Sequence, residues 1–384
     1  MKVVYCLIDS SGSGGMERSI CCKANYLADV AGYNVTILTT DRKGKANFYE
    51  YSSKIQFIDL GINYYELEYL SFFDRISLQL EKRKKHKEEL NNILLKLRPD
   101  VVVSTGTHEL TLLYNIKDGS KKILEFHFCK PYKKIEYSQY PVYSLKRLFA
   151  LAAEWRRQQF AKKYDALVVL TKEDKKRWKN IPHIEVIPNI VSFYPERINK
   201  SDNKRIISVG RLSYQKGYPL LIEAWAKVAK KYPDWTLSVY GEGDEKHELV
   251  KMISRKGVRN SMSIHPFEKD IQKEYEASSV YVMSSLYEGF GLALTGAMAC
   301  GIPCVSFDCP SGPSEIITNG EDGIIVEYKN IDKLAEAISF LIEDNTLRKE
   351  MGQNARENVK RFLPEKIMPR WISLFEQITG LSNY

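Results

Sequence analysis

Paired cysteines, metal-ligand spacings and long apolar runs are what this 384-residue sequence lacks. Its seven cysteines (Cys6, Cys21, Cys22, Cys129, Cys300, Cys304, Cys309) are odd in number, lie in apolar runs and form no C-x-x-C. That excludes a disulfide framework, a zinc ribbon and a thioredoxin-type site, and predicts reduced thiols in a cytoplasmic protein. Histidine is sparse, and no pair has zinc-ligand spacing. No stretch approaches the roughly 18 to 20 uncharged residues of a spanning helix. The start, MKVVYCLID, runs directly into a strand-like segment without an apolar h-region, so secretion is not expected.

What is present describes a folded α/β protein. With 44% hydrophobic and 27% charged residues the chain is globular, and its length exceeds the ~250 to 300 residues at which one core stops growing, so two domains are expected. The net charge of +9 favours a polyanionic partner. Nucleotide, anionic lipid and nucleic acid all qualify, but the basic runs near Lys82 and Lys133 lack the interleaved aromatics of a nucleic-acid surface.

Short β-branched runs alternate with helical stretches from the start: 3–9, 34–40, 54–60, 101–105, 123–128, 166–171 and 184–188 read as strands of a parallel sheet. The polar, aperiodic segment 192–205 reads as a linker, with residues 1–191 as the first domain. A second cycle follows at 206–210, 236–240, 261–265, 280–284, 304–307 and 323–326, giving a second doubly wound domain over 206–363. The tail, 364–384, reads as a helix with Trp371, Leu374 and Phe375 on one stripe, expected to pack back on the first domain.

In open parallel sheets ligands bind beyond the carboxyl ends of strands. The loop SSGSGGMERS after the first strand, with Gly14 and Gly15, suits backbone approach to a phosphate at a helix N-terminus or is simply a flexible turn. It is not a dinucleotide fingerprint, because Glu17 stands where the third glycine belongs, which argues against a nicotinamide-dependent oxidoreductase. The loop VGRLSYQKG places Arg211 and Lys216 beyond a strand end, as a diphosphate-neutralising pair or a solvated basic turn. In SLYEGFGLALTGAMACG, Glu288 follows a strand and Gly289 and Gly291 permit close backbone approach; it reads as a sugar ligand or as a helix-capping carboxylate.

Together GGMER, GRLSYQKG and EGFGLALTGAMACGIPCVSFDCPSGPSEII resemble the retaining glycosyltransferase family four, with its GT-B fold of two Rossmann-like domains across a cleft. The resemblance implies transfer of a hexose or N-acetylhexosamine from a nucleotide diphosphate donor, with uracil the expected base, to a glycan or lipid-linked acceptor in surface polysaccharide synthesis. It implies that Arg211 and Lys216 bind the diphosphate and that Glu288 faces the sugar. Gly289, Phe290, Gly291 and Leu292 would offer amides, Gly14 and Gly15 would close the phosphate site, and His127 in LEFHF would be the active-site histidine. No Asp-x-Asp is present, so no metal and no cofactor is expected. The pattern departs at one position. Seven residues after Glu288 the family has a second Glu, a ribose ligand, and here the residue is Gly296. A catalytically impaired sugar-nucleotide binder is therefore the competing reading.

On the acceptor side, Lys133–Lys163 carries Leu148, Phe149, Leu151, Ala152 and Trp155 on one helical face among Lys and Arg. A packed helix with a solvated basic end is the favoured reading, and peripheral contact with the anionic inner face of the cell membrane the other. Tyr64, Tyr65, Tyr69, Phe72 and Phe73 read as acceptor pocket or core.

Overall fold

A computed structural model describes residues 1–196 and 202–381, so positions 197–201 of the expected linker and the last three of the expected tail lie outside the described residues. Strands β1 (Lys2–Leu7), β2 (Asn34–Thr39), β3 (Gln56–Asp59), β4 (Val101–Ser104), β5 (Lys121–Phe126), β6 (Ala166–Val169) and β7 (Ile184–Val186) form one sheet in the order β3-β2-β1-β4-β5-β6-β7. Strands β8 (Arg205–Val209), β9 (Thr236–Tyr240), β10 (Met262–His265), β11 (Val280–Met283), β12 (Cys304–Phe307) and β13 (Gly323–Val326) form a second in the order β10-β9-β8-β11-β12-β13. All pairings are parallel. Both sheets start at the middle, wind outward, and reverse between their first and fourth strands. Such a reversal opens a crevice at the strand ends. The two Rossmann-like sheets thus face one another across a cleft, as the resemblance implies.

Parallel strands are covered on both faces, and the alternation of their side chains sorts two cores. In the first sheet Val3, Tyr5, Val103, Ile123 and Val168 point to one apolar cluster, and Val4, Cys6, Val102, Leu124 and Leu167 to another. The first cluster continues through Ile190, Val191, Phe290 and Phe362 to one face of the second sheet. Helix Pro364–Thr379 joins it, resting on helix Gly15–Asp29 with Trp371, Leu374 and Phe375 buried.

The seven cysteines are free, six buried and Cys22 half-buried. The second domain ends in helix Asn345–Val359 followed by a 3-10 turn, Lys360–Phe362. Phe193, in the stretch read as polar linker, packs its ring against Gly296. Tyr64 is buried and stacked on His108 at 3.8 Å, which places it in a core; the side chains of Tyr69, Phe72 and Phe73 lie outside the described residues.

One expectation fails outright. Helix Leu145–Ala161 does not bury its apolar stripe: Leu145, Leu148, Phe149, Leu151 and Trp155 are all at least half exposed, while Ala150, Arg157, Gln158 and Ala161 face inward. Hydrogen bonding explains the inversion. Arg157 donates to the Tyr132 hydroxyl at 3.0 Å and lies over the Tyr132 ring, and Gln158 accepts from Lys130 and donates to the Lys179 carbonyl. Buried polar groups with partners hold the inner face, and the hydrocarbon is left outside.

Candidate active site

The donor side is built by two loops zipped together at the carboxyl ends of β8 and β11. Gly217 adopts a left-handed φ of 60° between Lys216 and helix Tyr218–Lys231, and a Cβ there would fall 2.2 Å from the Ser284 carbonyl. Only glycine allows that approach. The zip continues as Ser284 Oγ donates to the Lys216 carbonyl (2.8 Å), Leu286 N to the Gln215 carbonyl (2.7 Å) and Gln215 Nε2 to the Tyr287 carbonyl (3.1 Å). Its consequence is a fixed Lys216, whose Nζ lies 2.7 Å from Glu288 Oε1. Ser285 Oγ donates to the same oxygen at 2.6 Å, and the Glu288 amide donates to the Pro310 carbonyl. Arg211 shares the Lys216 loop but is exposed, and its side chain makes no hydrogen bond or ion pair among the described residues. Its charge is therefore free for a ligand.

Beyond Glu288 the chain is stripped of side chains where it meets the other half. A Cβ on Gly289 would fall 1.9 Å from the His127 carbonyl oxygen, and one on Gly15 would meet Leu292 Cδ1 at 3.2 Å. Two contacts thus draw the strand-end loops of β5 and β1 onto the segment from Gly289 to Leu292. Gly291 turns at φ 117° into helix Leu292–Ala299. Among the described residues the amides of Gly289, Phe290 and Gly291 donate to no protein acceptor. Free amides at a helix N-terminus suit an anion. Gly296 lies inside that helix, buried, where a Cβ would meet Phe193 Cζ at 3.3 Å and Tyr275 Cε2 at 3.4 Å.

On the first sheet, His127 follows β5 and is buried. Its Nε2 lies 3.3 Å from Glu125 Oε1, though off the line of a hydrogen bond. Glu125 is itself completely buried and accepts from Lys23 of helix Gly15–Asp29. Burial opposes its charge, but the Lys23 ammonium and then His127 overcome that and pull the carboxyl down to about 2. Burial draws Lys23 below its ordinary value, against the pull of Glu125. Neither Lys23 nor Glu125 was singled out from sequence. The signal was a charged residue inside KKILEF at a position whose neighbours are apolar.

A second unforeseen contact clasps the two halves. Glu315 accepts from the amides of Lys172 (2.8 Å) and Glu173 (2.5 Å), the first turn of helix Lys172–Arg177. Reciprocally, Glu173 accepts from the Ser311 amide at 2.7 Å and Arg177 donates to Ser311 Oγ at 2.9 Å. Among the described residues no three His, Cys, Asp or Glu side chains converge as a metal site.

The halves also match known families separately: residues 192–358 match Glycosyl transferases group 1, and residues 13–193 match Glycosyltransferase Family 4. The chain is a GT-B glycosyltransferase related to both. It transfers sugar from a nucleotide diphosphate donor to an acceptor. An uncharacterized glycosyltransferase of Haemophilus influenzae is 28% identical over 374 residues, 96% of this glycosyltransferase and 98% of that one. The amylovoran biosynthesis glycosyltransferase AmsD of Erwinia amylovora is 34% identical over 217 residues, covering 54% of this chain and 61% of AmsD. In three dimensions the glycosyltransferase superposes with TM-score 0.78 on a mutant of S. aureus TarM solved with fondaparinux, alpha-GlcNAc-glycerol and UDP. That pair shares 18% identity over 97% of this chain and 99% of TarM, which speaks for the fold.

Proposed function

We propose that this glycosyltransferase is a retaining, metal-independent enzyme that moves a hexose or N-acetylhexosamine from a UDP-sugar to a glycan or lipid-linked glycan in surface polysaccharide assembly. The observation that carries this is Lys216 held 2.7 Å from Glu288 beside the undonated amides of Gly289 to Gly291. A diphosphate entering there meets Lys216, Arg211 and the helix N-terminus, which together offset the charge that develops as the glycosidic C–O bond breaks. Glu288 then binds sugar hydroxyls, with His127 opposite and Gly14 and Gly15 closing the phosphate end. The acceptor oxygen attacks the anomeric carbon on the face that the diphosphate leaves, and its proton passes to the departing phosphate oxygen. Amylovoran biosynthesis by AmsD supports the polysaccharide context, and the UDP bound to TarM supports the uridine donor. Gly296 lacks the carboxylate that the family resemblance expects, so ribose is held by backbone or by other side chains.

We assign residues 1–191 to the acceptor domain, 206–363 to the donor domain, 192–205 to the linker and 364–384 to a tail on the acceptor domain. The outward face of helix Leu145–Ala161 gives that domain an anionic-membrane contact at the cytoplasmic surface. Leu145, Phe149 and Trp155 supply hydrocarbon, and 133–163 holds eight Lys or Arg against two Glu. No helix among the described residues is long and apolar enough to cross a membrane.

A thermal-shift panel of UDP-, GDP- and ADP-sugars tests the donor, because a ligand that binds only the folded state raises its stability. A UDP-sugar should give the largest rise, turnover should survive EDTA, and the product should keep the donor's anomeric configuration. An inverted product or activity restored only by Mn²⁺ refutes the mechanism. Failure to co-sediment with anionic liposomes at low salt removes the membrane contact alone.

A further inference from the structure

Directly under His127 lies a charged cluster that the transfer step does not use. Glu125 is 0% exposed and Lys23 1%, one from the middle of a sheet and one from the inner face of a helix. Helix Pro364–Thr379 closes the remaining side, with the Trp371 ring centroid 4.8 Å from Lys23 Nζ. Of the eight buried side-chain polar atoms without a hydrogen-bond partner among the described residues, five belong to this spot: Tyr5 Oη, Glu125 Oε2, both ring nitrogens of His127 and Trp371 Nε1. A core selected for stability alone is not built this way. Buried ion pairs return little net stability, and apolar residues of equal volume commonly do as well or better.

We propose that Glu125, anchored by Lys23, is a positioning residue that sets the orientation and tautomer of His127 for the donor sugar. The inference rests on the assignment of His127 to the sugar. Lys23 donates to the same oxygen, Oε1, that faces His127 Nε2, so the carboxylate is braced against rotation at the point of contact. A carboxylate beside Nε2 favours the ring form with its proton there, which leaves Nδ1, buried and without a partner among the described residues, as the acceptor of the ring. The 3.3 Å separation with poor alignment is the looseness that catalytic hydrogen bonds often show before substrate tightens them. His127 is also fixed from the backbone side, because its carbonyl packs on Gly289. Two restraints, one on the main chain and one beside the ring, narrow the directions open to the imidazole.

The test compares kinetics, measured as UDP release from the panel sugar, with thermal stability for His127→Ala, Glu125→Gln, Lys23→Met, Glu125→Leu and the double variant Lys23→Met/Glu125→Leu. Each charge-removing single variant strands its partner and should lower Tm, whereas the double variant should recover it. The double variant should still lose kcat by on the order of 10- to 100-fold, with donor KM nearly unchanged, because misplacing a catalytic group costs that much. Recovery of both Tm and kcat in the double variant shows a purely structural pair and overturns the proposal. If the double variant does not fold, Glu125→Gln decides: it keeps the shape and the bond from Lys23, so wild-type kcat there is equally fatal. Wild-type kcat in His127→Ala sinks the underlying assignment of His127 instead, and the two failures are thereby told apart.

Discussion

The two halves of the cleft are made of different materials. On the donor side backbone meets backbone: Gly217 against Ser284, Gly289 against His127 and Gly312 against the Phe290 carbonyl, where a Cβ would fall 2.1 Å away. On the acceptor side the equivalent work is done by buried charge, with Lys23 on Glu125, and Lys82 donating to the Ile62 carbonyl at 2.6 Å and Glu66 at 2.7 Å. The contrast teaches how each half fails. A glycine site tolerates no added carbon but is indifferent to charge, whereas a buried pair tolerates a change of shape but not a stranded ion.

The sharpest way to break that comparison is Gly289→Ala. Its methyl carbon collides with a main-chain oxygen rather than a flexible side chain, so the two loops must part. We expect kcat/KM to fall by more than about 100-fold, since displacements near 1 Å at a reacting centre cost that much. Circular dichroism should remain native. An active Gly289→Ala enzyme would mean that the two halves do not meet here during turnover.

Arg211→Ala and Lys216→Ala come next. Charge-assisted hydrogen bonds contribute ~1.5 to 3 kcal/mol, or roughly 10- to 150-fold in rate. Lys216 also neutralises Glu288, so its loss should raise donor KM more than the loss of Arg211, whose side chain has no protein partner among the described residues. Equal, wild-type kcat/KM values for both variants would remove the diphosphate assignment.

The smallest effect is expected at Gly296, where the donor side has room to be repaired. A carboxylate there would reach for ribose, but its Cβ first meets the tip of the Phe193 ring at 3.3 Å. Gly296→Glu alone should change UDP affinity little, and Gly296→Glu combined with Phe193→Ala should tighten it about tenfold by calorimetry. Unchanged binding in the combined variant would show that ribose is held in another way.

This division of materials also decides what could be read from the sequence. The donor half announces itself because its constraints are glycines at fixed spacing within one loop: Gly217 after Lys216, Gly289 and Gly291 after Glu288. The strands were legible too, with ends displaced by a residue or two, because β-branched runs between turns are local signals. The acceptor half hides its key contact. Lys23 and Glu125 are 102 residues apart, and only the fold brings them together. Helix Leu145–Ala161 misled for a related reason: its apolar stripe is plain in the sequence, but the partners that draw Arg157 and Gln158 inward belong to a separate segment, Tyr132 at the start of helix Tyr132–Glu136 and Lys130 just before it.

The clasp of Glu315, Glu173, Ser311 and Arg177 gives the cleft a fixed edge. It is made of four hydrogen bonds, two from main-chain amides of helix Lys172–Arg177 and two involving Ser311. Each joins a charged side chain to an amide or a hydroxyl, and only the bond from the Lys172 amide is exposed, so each contributes roughly 1.5 to 3 kcal/mol. Parting the halves here would leave the Glu173 and Glu315 carboxylates and the Arg177 guanidinium without these partners unless water replaced every one. The clasp thus acts as a rivet at one edge of the cleft: any parting of the halves must either break it or pivot about it.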